Sequence, residues 1–122
     1  MIQISKPVVL IVEDEPLIRM LAVEAFLDDG FIVLEAEHAA RALLIYGGDV
    51  RVQVLFTDVN MPGEMNGIDL AEHLKRLAPE LQVIITSALP ILRSVDHLPA
   101  MFMAKPYVMR DVCGAARGLL AA

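Results

Sequence analysis

Apolar residues along this chain follow two alternating rhythms. The runs Val8-Val-Leu-Ile-Val12, Phe31-Ile-Val-Leu34, Val54-Leu-Phe-Thr57, Val83-Ile-Ile-Thr86 and Met101-Phe-Met-Ala104 are short and largely continuous. Runs of that length, mostly rich in β-branched residues, read as buried parallel strands. They predict strands at about residues 7–12, 31–34, 53–57, 82–86 and 101–104. Between them the spacing turns helical. Leu17, Ile18, Leu21, Ala22, Ala25 and Phe26 mark a first helix running to about Asp29. Glu15-Pro16 opens it, with Pro in the first turn, and Gly30 closes it. Further helices are predicted over about 38–46 (ended by Gly47-Gly48), 68–77 (with Pro79 beyond) and 109–120. The stretch 91–96, between Pro90 and Pro99, predicts only a short, poorly formed fourth helix.

Alternation of this kind specifies an α/β fold, a doubly wound five-stranded parallel sheet with helices on both faces. Strands one and three both end in acids. The flavodoxin-like order 2-1-3-4-5 sets them side by side at the switch point, where open sheets gather their chemistry beyond the strand ends. There the sequence places Glu13-Asp14 after the first run, Asp58 after the third, Ser87 after the fourth and Lys105 after the fifth. Acids, a hydroxyl and an ammonium on one sheet edge point to a divalent-metal and phosphoryl site.

Composition narrows the setting. A chain of 122 residues fits one domain, 1–122, and 57% hydrophobic content is well away from disorder. No apolar stretch reaches the roughly 18–20 residues of a membrane span, and Met1–Pro7 lacks the pattern of a signal peptide. The single Cys113 cannot form an internal disulfide; a small core residue in a cytoplasmic protein is expected. A net charge of −6 weighs against nucleic acid as a direct partner. His38, His73 and His97 show no metal-ligand spacing and read as surface, Asp69 and Glu72 as a solvated helix face. The seven Met residues read as core filler.

Four segments, in order and each at a strand end, carry a family likeness: Leu10-Ile-Val-Glu-Asp-Glu-Pro16, Asp58-Val-Asn-Met-Pro62 with Gly67, Thr86-Ser87-Ala88, and Lys105-Pro106-Tyr107. With them the chain resembles, over essentially its whole length, the receiver domain of two-component response regulators. The resemblance implies a phospho-acceptor at Asp58 and an acidic pair, Glu13 and Asp14, holding Mg²⁺ with the Asn60 backbone carbonyl. It implies that Ser87 hydrogen-bonds the phosphoryl group, that Lys105 pairs with it, and that Lys105-Pro106 is cis. It also implies a rotating aromatic at Phe102, whose plainer reading is a core strand residue. The implied donor is a histidine kinase or a histidine phosphotransfer protein; the implied protein is a monomer or weak dimer.

The chemistry agrees. A carboxylate accepts a phosphoryl group as an acyl phosphate, and Mg²⁺ offsets the repulsion between the two anions. Asp14 and Asp58 suit Mg²⁺, with Glu13 acting through a water, and Lys105 supplies a fixed cation. Asn60 and Leu89 are expected to border the approach of a hydrolytic water, Leu89 as a screen.

Two departures stand out. The loop Pro62-Gly-Glu-Met-Asn-Gly67 is one residue longer than the commonest family form. Only seventeen residues separate Ser87 from Lys105, fewer than usual, so the fourth helix is expected to be short, distorted or largely loop. No second domain stands in the sequence, so either a stand-alone regulator or the receiver part of a longer protein is expected, the first being favoured. Two other readings stay open. A pseudo-receiver that never turns over phosphate is disfavoured by the intact Asp14, Asp58, Ser87 and Lys105. An aspartyl-phosphate phosphohydrolase is disfavoured because its second Asp would stand where Asn60 does.

Overall fold

The computed structural model describes residues 6–88, 90–91 and 95–121. Its elements run β1 Val8–Val12, α1 Pro16–Asp28, β2 Ile32–Ala36, α2 Ala39–Tyr46, β3 Val54–Asp58, α3 Gly67–Leu77, β4 Gln82–Ser87, β5 Met101–Ala104 and α4 Met109–Ala121. The five strands form one parallel sheet in the order β2-β1-β3-β4-β5. This is the flavodoxin-like arrangement expected from the strand runs. Asp58 and Ser87 prove to be the last residues of their strands rather than the first beyond them.

Every residue of β1 and β3 is buried, because each strand is covered on both faces. Side chains alternate between two cores. Leu10, Val12, Leu55, Val83 and Ile85 face α2 and α3, where Ala42, Leu70 and Leu74 cover them. Val9, Ile11, Val54, Phe56 and Ile84 face α1 and α4, under Ala22, Phe26, Val112, Cys113 and Ala116. Phe26 meets Phe31 edge-on with ring centroids 4.9 Å apart. Each fully buried side chain of this size contributes roughly 1.5–3 kcal/mol. The two-sided core therefore holds the central strands, and with them the residues at their carboxyl ends.

The helix caps explain where several elements begin and stop. Gly30, just past α1, sits at φ 91°, a left-handed turn that favours glycine. His38 caps α2, its Nδ1 accepting from the Arg41 N–H at 3.1 Å. Asn66 and Asp69 close a reciprocal capping box at the start of α3. His38 and Asp69 thus have local structural roles, where sequence suggested plain surface.

Two expectations need correction or limits. Of the six apolar positions that marked α1 (Leu17, Ile18, Leu21, Ala22, Ala25 and Phe26), only Ala22 and Phe26 are buried, with Leu17 60% and Leu21 53% exposed. The helix is apolar nearly all round, so spacing alone does not pick its inner face. At 3.6 residues per turn, Leu17 and Leu21 lie roughly 140° around from the buried pair. Between β4 and β5, no helix forms among the described residues. Leu98 is buried there, Ile91, Val95 and Ala100 pack on the α2–α3 side, and His97 pairs with Glu72 of α3. Glu72 is therefore engaged rather than simply solvated. Residues 92–94 of the expected fourth helix, and Leu89, lie outside the described residues.

Candidate functional site

Three strand ends converge. Glu13 follows β1, and its N–H donates to the Ala36 carbonyl of β2 at 3.1 Å. Its Oε2 accepts from the Glu15 N–H at 3.0 Å, which turns the carboxylate over the sheet edge. Asp58 ends β3 in register with Thr86 of β4. Both acids are well shielded, Glu13 5% and Asp58 7% exposed. Lys105 follows β5, tied to β4 by its N–H to the Ser87 carbonyl at 3.0 Å. The Lys105–Pro106 peptide bond is cis.

The side chains then meet. Lys105 Nζ donates to Asp58 Oδ2 at 3.0 Å and lies 4.0 Å from Glu13 Oε1. Exposed Asp14 closes the group: one oxygen each from Glu13, Asp14 and Asp58 lie within 4.8 Å of one another. Three hard oxygen donors, one open to solvent, suit Mg²⁺ in their chemistry. Ser87 is half-buried at the end of β4, and Asn60 is exposed in the loop after β3. Phe102 pairs in register with Ile85 and packs on the α2–α3 core.

One cation among three acids leaves repulsion. Burial above all raises the Glu13 pKa from its ordinary 4.5; the Glu15 N–H opposes this, and the Asp58 charge adds to it. Burial alone would lower the Lys105 pKa, but its hydrogen bond and charge pairing with Asp58, with Glu13 behind, raise it overall. Lys105 therefore stays an ammonium. For Glu13 the folded pKa exceeds the unfolded one. Its stabilising contribution is full below pH 4.5 and is lost as pH rises through the folded value. Without metal, Glu13→Gln is accordingly expected to melt higher than the parent near neutral pH, and to lose less stability as pH rises from about 4 to 7. Thermal melts in a chelating buffer check this. Parallel pH profiles for the two proteins would contradict it.

The backbone around Asp58 is held by an unusually close approach. The Gly67 N–H donates to the Val59 carbonyl at 2.9 Å, and Thr57 Oγ1 donates to the Asp58 carbonyl at 2.9 Å. A Cβ at position 67 would lie 1.9 Å from the Asp58 oxygen. Only glycine lets α3 start so near the end of β3.

Sequence reasoning missed two features of this edge. Arg19, one turn into α1, donates from Nη1 to the Glu13 carbonyl at 2.8 Å and from Nε to Glu35 at 3.1 Å. The only sequence signal was a lone cation in an otherwise apolar half-helix. On the same helix, Leu17, Met20 and Leu21 expose apolar surface.

Comparison with known proteins gives a consistent picture. The family model described as response regulator receiver domain matches residues 9–109. The chain is 34% identical over 119 residues to the sensor kinase CckA of Brucella abortus (strain 2308), covering 92% of this chain and 12% of that protein. It likewise covers only 23% of the DNA-binding transcriptional regulator NtrC of Azospirillum brasilense. With sporulation initiation phosphotransferase F of Bacillus subtilis (strain 168) it shares 29% identity over 116 residues, 92% of each chain. In fold it matches a CheY-like response regulator receiver domain protein from Methanospirillum hungatei JF-1, with a TM-score of 0.87 at 22% identity, over 96% of this chain and 95% of that one.

Proposed function

The chain belongs to the response regulator receiver domain family, and from that premise we propose that Asp58 accepts a phosphoryl group within a two-component phosphorelay. Receiver domains are signalling modules rather than conventional enzymes, and they bind Mg²⁺ at their acidic pocket. The observation that carries the proposal is the Lys105–Asp58 bond at 3.0 Å inside the three-acid cluster. It supports the reading because a fixed cation beside the carboxylate would offset the negative charge that builds during phosphoryl transfer.

In this reading a carboxylate oxygen of Asp58 attacks the phosphorus of a phosphohistidine. The new O–P bond replaces the P–N bond, and the leaving imidazole takes up a proton. Lys105 holds the acceptor before transfer and pairs with a phosphoryl oxygen afterwards. Glu13, Asp14, Asp58 and the Asn60 carbonyl would hold Mg²⁺, which when bound would offset the charge repulsion between the acceptor carboxylate and the phosphoryl group. Ser87 would donate to the phosphoryl group and, by moving, bias the rotamer of Phe102 and the short β4–β5 connection. Self-catalysed hydrolysis would reset the protein, with Asn60 bordering the water's approach. A phosphohydrolase is disfavoured by Asn60, which has no proton-shuttling carboxyl. The intact lysine–acid set disfavours a silent pseudo-receiver.

The donor would be a histidine kinase or a histidine phosphotransfer protein, met in the cytoplasm by a single receiver domain, 1–122, acting as a monomer or weak dimer. No helix among the described residues is long and apolar enough to cross a membrane. The exposed Leu17, Met20 and Leu21, next to the acceptor edge, form the surface we assign to that donor. Leu21→Glu should slow phosphotransfer from a cognate histidine phosphotransfer protein by at least about tenfold, roughly 1.4 kcal/mol in the barrier. Labelling by acetyl phosphate should be unchanged. Equal slowing with both donors would remove the surface from this role.

A further inference from the structure

We infer that Arg19 is a positioning residue for the metal-binding acids, acting through the Glu13 backbone carbonyl; this rests on the Mg²⁺ reading of the acid cluster. The Glu13 main chain is tied on both sides. Its N–H donates to Ala36 of β2 at 3.1 Å, and its carbonyl accepts from Arg19 Nη1 of α1 at 2.8 Å. That carbonyl belongs to the planar peptide unit joining Glu13 to Asp14, so its direction sets the position of the Asp14 Cα. Asp14 itself is exposed, so its aim toward Glu13 and Asp58 depends heavily on this backbone.

The guanidinium is itself oriented. Glu35 of β2 accepts from Arg19 Nε at 3.1 Å, and Arg19 is only 20% exposed while Glu35 is 52% exposed. An exposed ion pair of this kind adds little stability alone. Its geometric effect is larger, because the planar fork, once Nε is engaged, fixes where Nη1 points. β2, α1 and the β1–α1 turn are thereby joined through one side chain at the acid cluster.

Two effects of removing Arg19 have opposite signs. As a bare charge near the acids, Arg19 would repel Mg²⁺, and its loss would tighten binding. As a positioner, its loss would free the Glu13–Asp14 peptide and weaken binding. Glu35 offsets the charge at 3.1 Å, so the positioning effect wins. Outer partners of metal ligands typically alter affinity 10–100-fold.

Isothermal titration with MgCl₂ decides between them, with melting temperature in chelator as the fold control. Arg19→Met is expected to weaken Mg²⁺ binding about tenfold. Arg19→Lys, which reaches the carbonyl without the fork, is expected to recover part of that loss. Unchanged or tighter binding in Arg19→Met overturns the proposal, as does a loss that Arg19→Lys does not reduce at all. If the methionine variant fails to fold, Arg19→Gln serves instead. Its amide ends near the place of Nε, two bonds short of Nη1, so it can still meet Glu35 but not the Glu13 carbonyl; it should weaken binding about tenfold, and undiminished affinity there refutes the role. Absence of Mg²⁺ binding in the parent would instead remove the metal reading itself, so the two failures are distinguishable.

Discussion

Gly67→Ala is expected to lower stability by about 3 kcal/mol, lowering the melting temperature by roughly 10 °C, and to impair phosphorylation together with it. The reason is steric and local. A methyl group at 67 would meet the Asp58 carbonyl oxygen at 1.9 Å and the Asp58 carbonyl carbon at 2.8 Å. These are backbone atoms of a fully buried strand and have no rotamer to change. Either α3 lifts away, uncovering Ile68, Leu70 and Leu74, or the end of β3 shifts and carries Asp58 with it. Both routes lose packing, and the second misaligns Asp58 against Lys105. Thermal melts and acetyl phosphate labelling of the same sample check the two consequences. A variant with parental stability and labelling would contradict the close approach.

Lys105→Met is expected to destabilise the metal-free protein by about 2 kcal/mol, and Mg²⁺ is expected to restore much of the loss. Methionine keeps the apolar stem and removes the charge. Two acids, each under a tenth exposed, then face one another without their cation. Removing one partner of a fully buried pair typically costs more than this, but Lys105 is 23% exposed, and water screens part of the effect. The rise in melting temperature on adding millimolar Mg²⁺ should be larger in the variant than in the parent. Equal rises would mean that lysine and metal do not serve the same negative charge.

The sheet and the residues gathered at its edge were legible because both follow from short-range patterns. A run such as Val8–Val12 is apolar throughout and stops abruptly at Glu13, so one reading yields both the strand and the residue at its end. Asp58, Ser87 and Lys105 are marked in the same way. The inner face of α1 was not legible, because Leu17, Leu21, Ala22 and Phe26 are all apolar and packing, not polarity, chooses among them. Gly67 was recognisable as part of a motif, but its reason, contact with a carbonyl nine residues earlier, exists only in three dimensions. Arg19 left almost no trace, since its key partner is a backbone oxygen, and any residue type carries one. That no helix forms between β4 and β5 among the described residues was foreshadowed by Pro90, Pro99 and the short span before Lys105. Burial of Leu98 and the His97–Glu72 pair show what holds that connection to the core instead.

The assignment of Asp58 as acceptor is tested most directly by intact-mass spectrometry after incubation with Mg²⁺ and acetyl phosphate. The parent is expected to gain one phosphoryl group, labile as acyl phosphates are, and Asp58→Asn to gain none. A parent that stays unmodified, or an Asp58→Asn protein that gains the same mass, would contradict it.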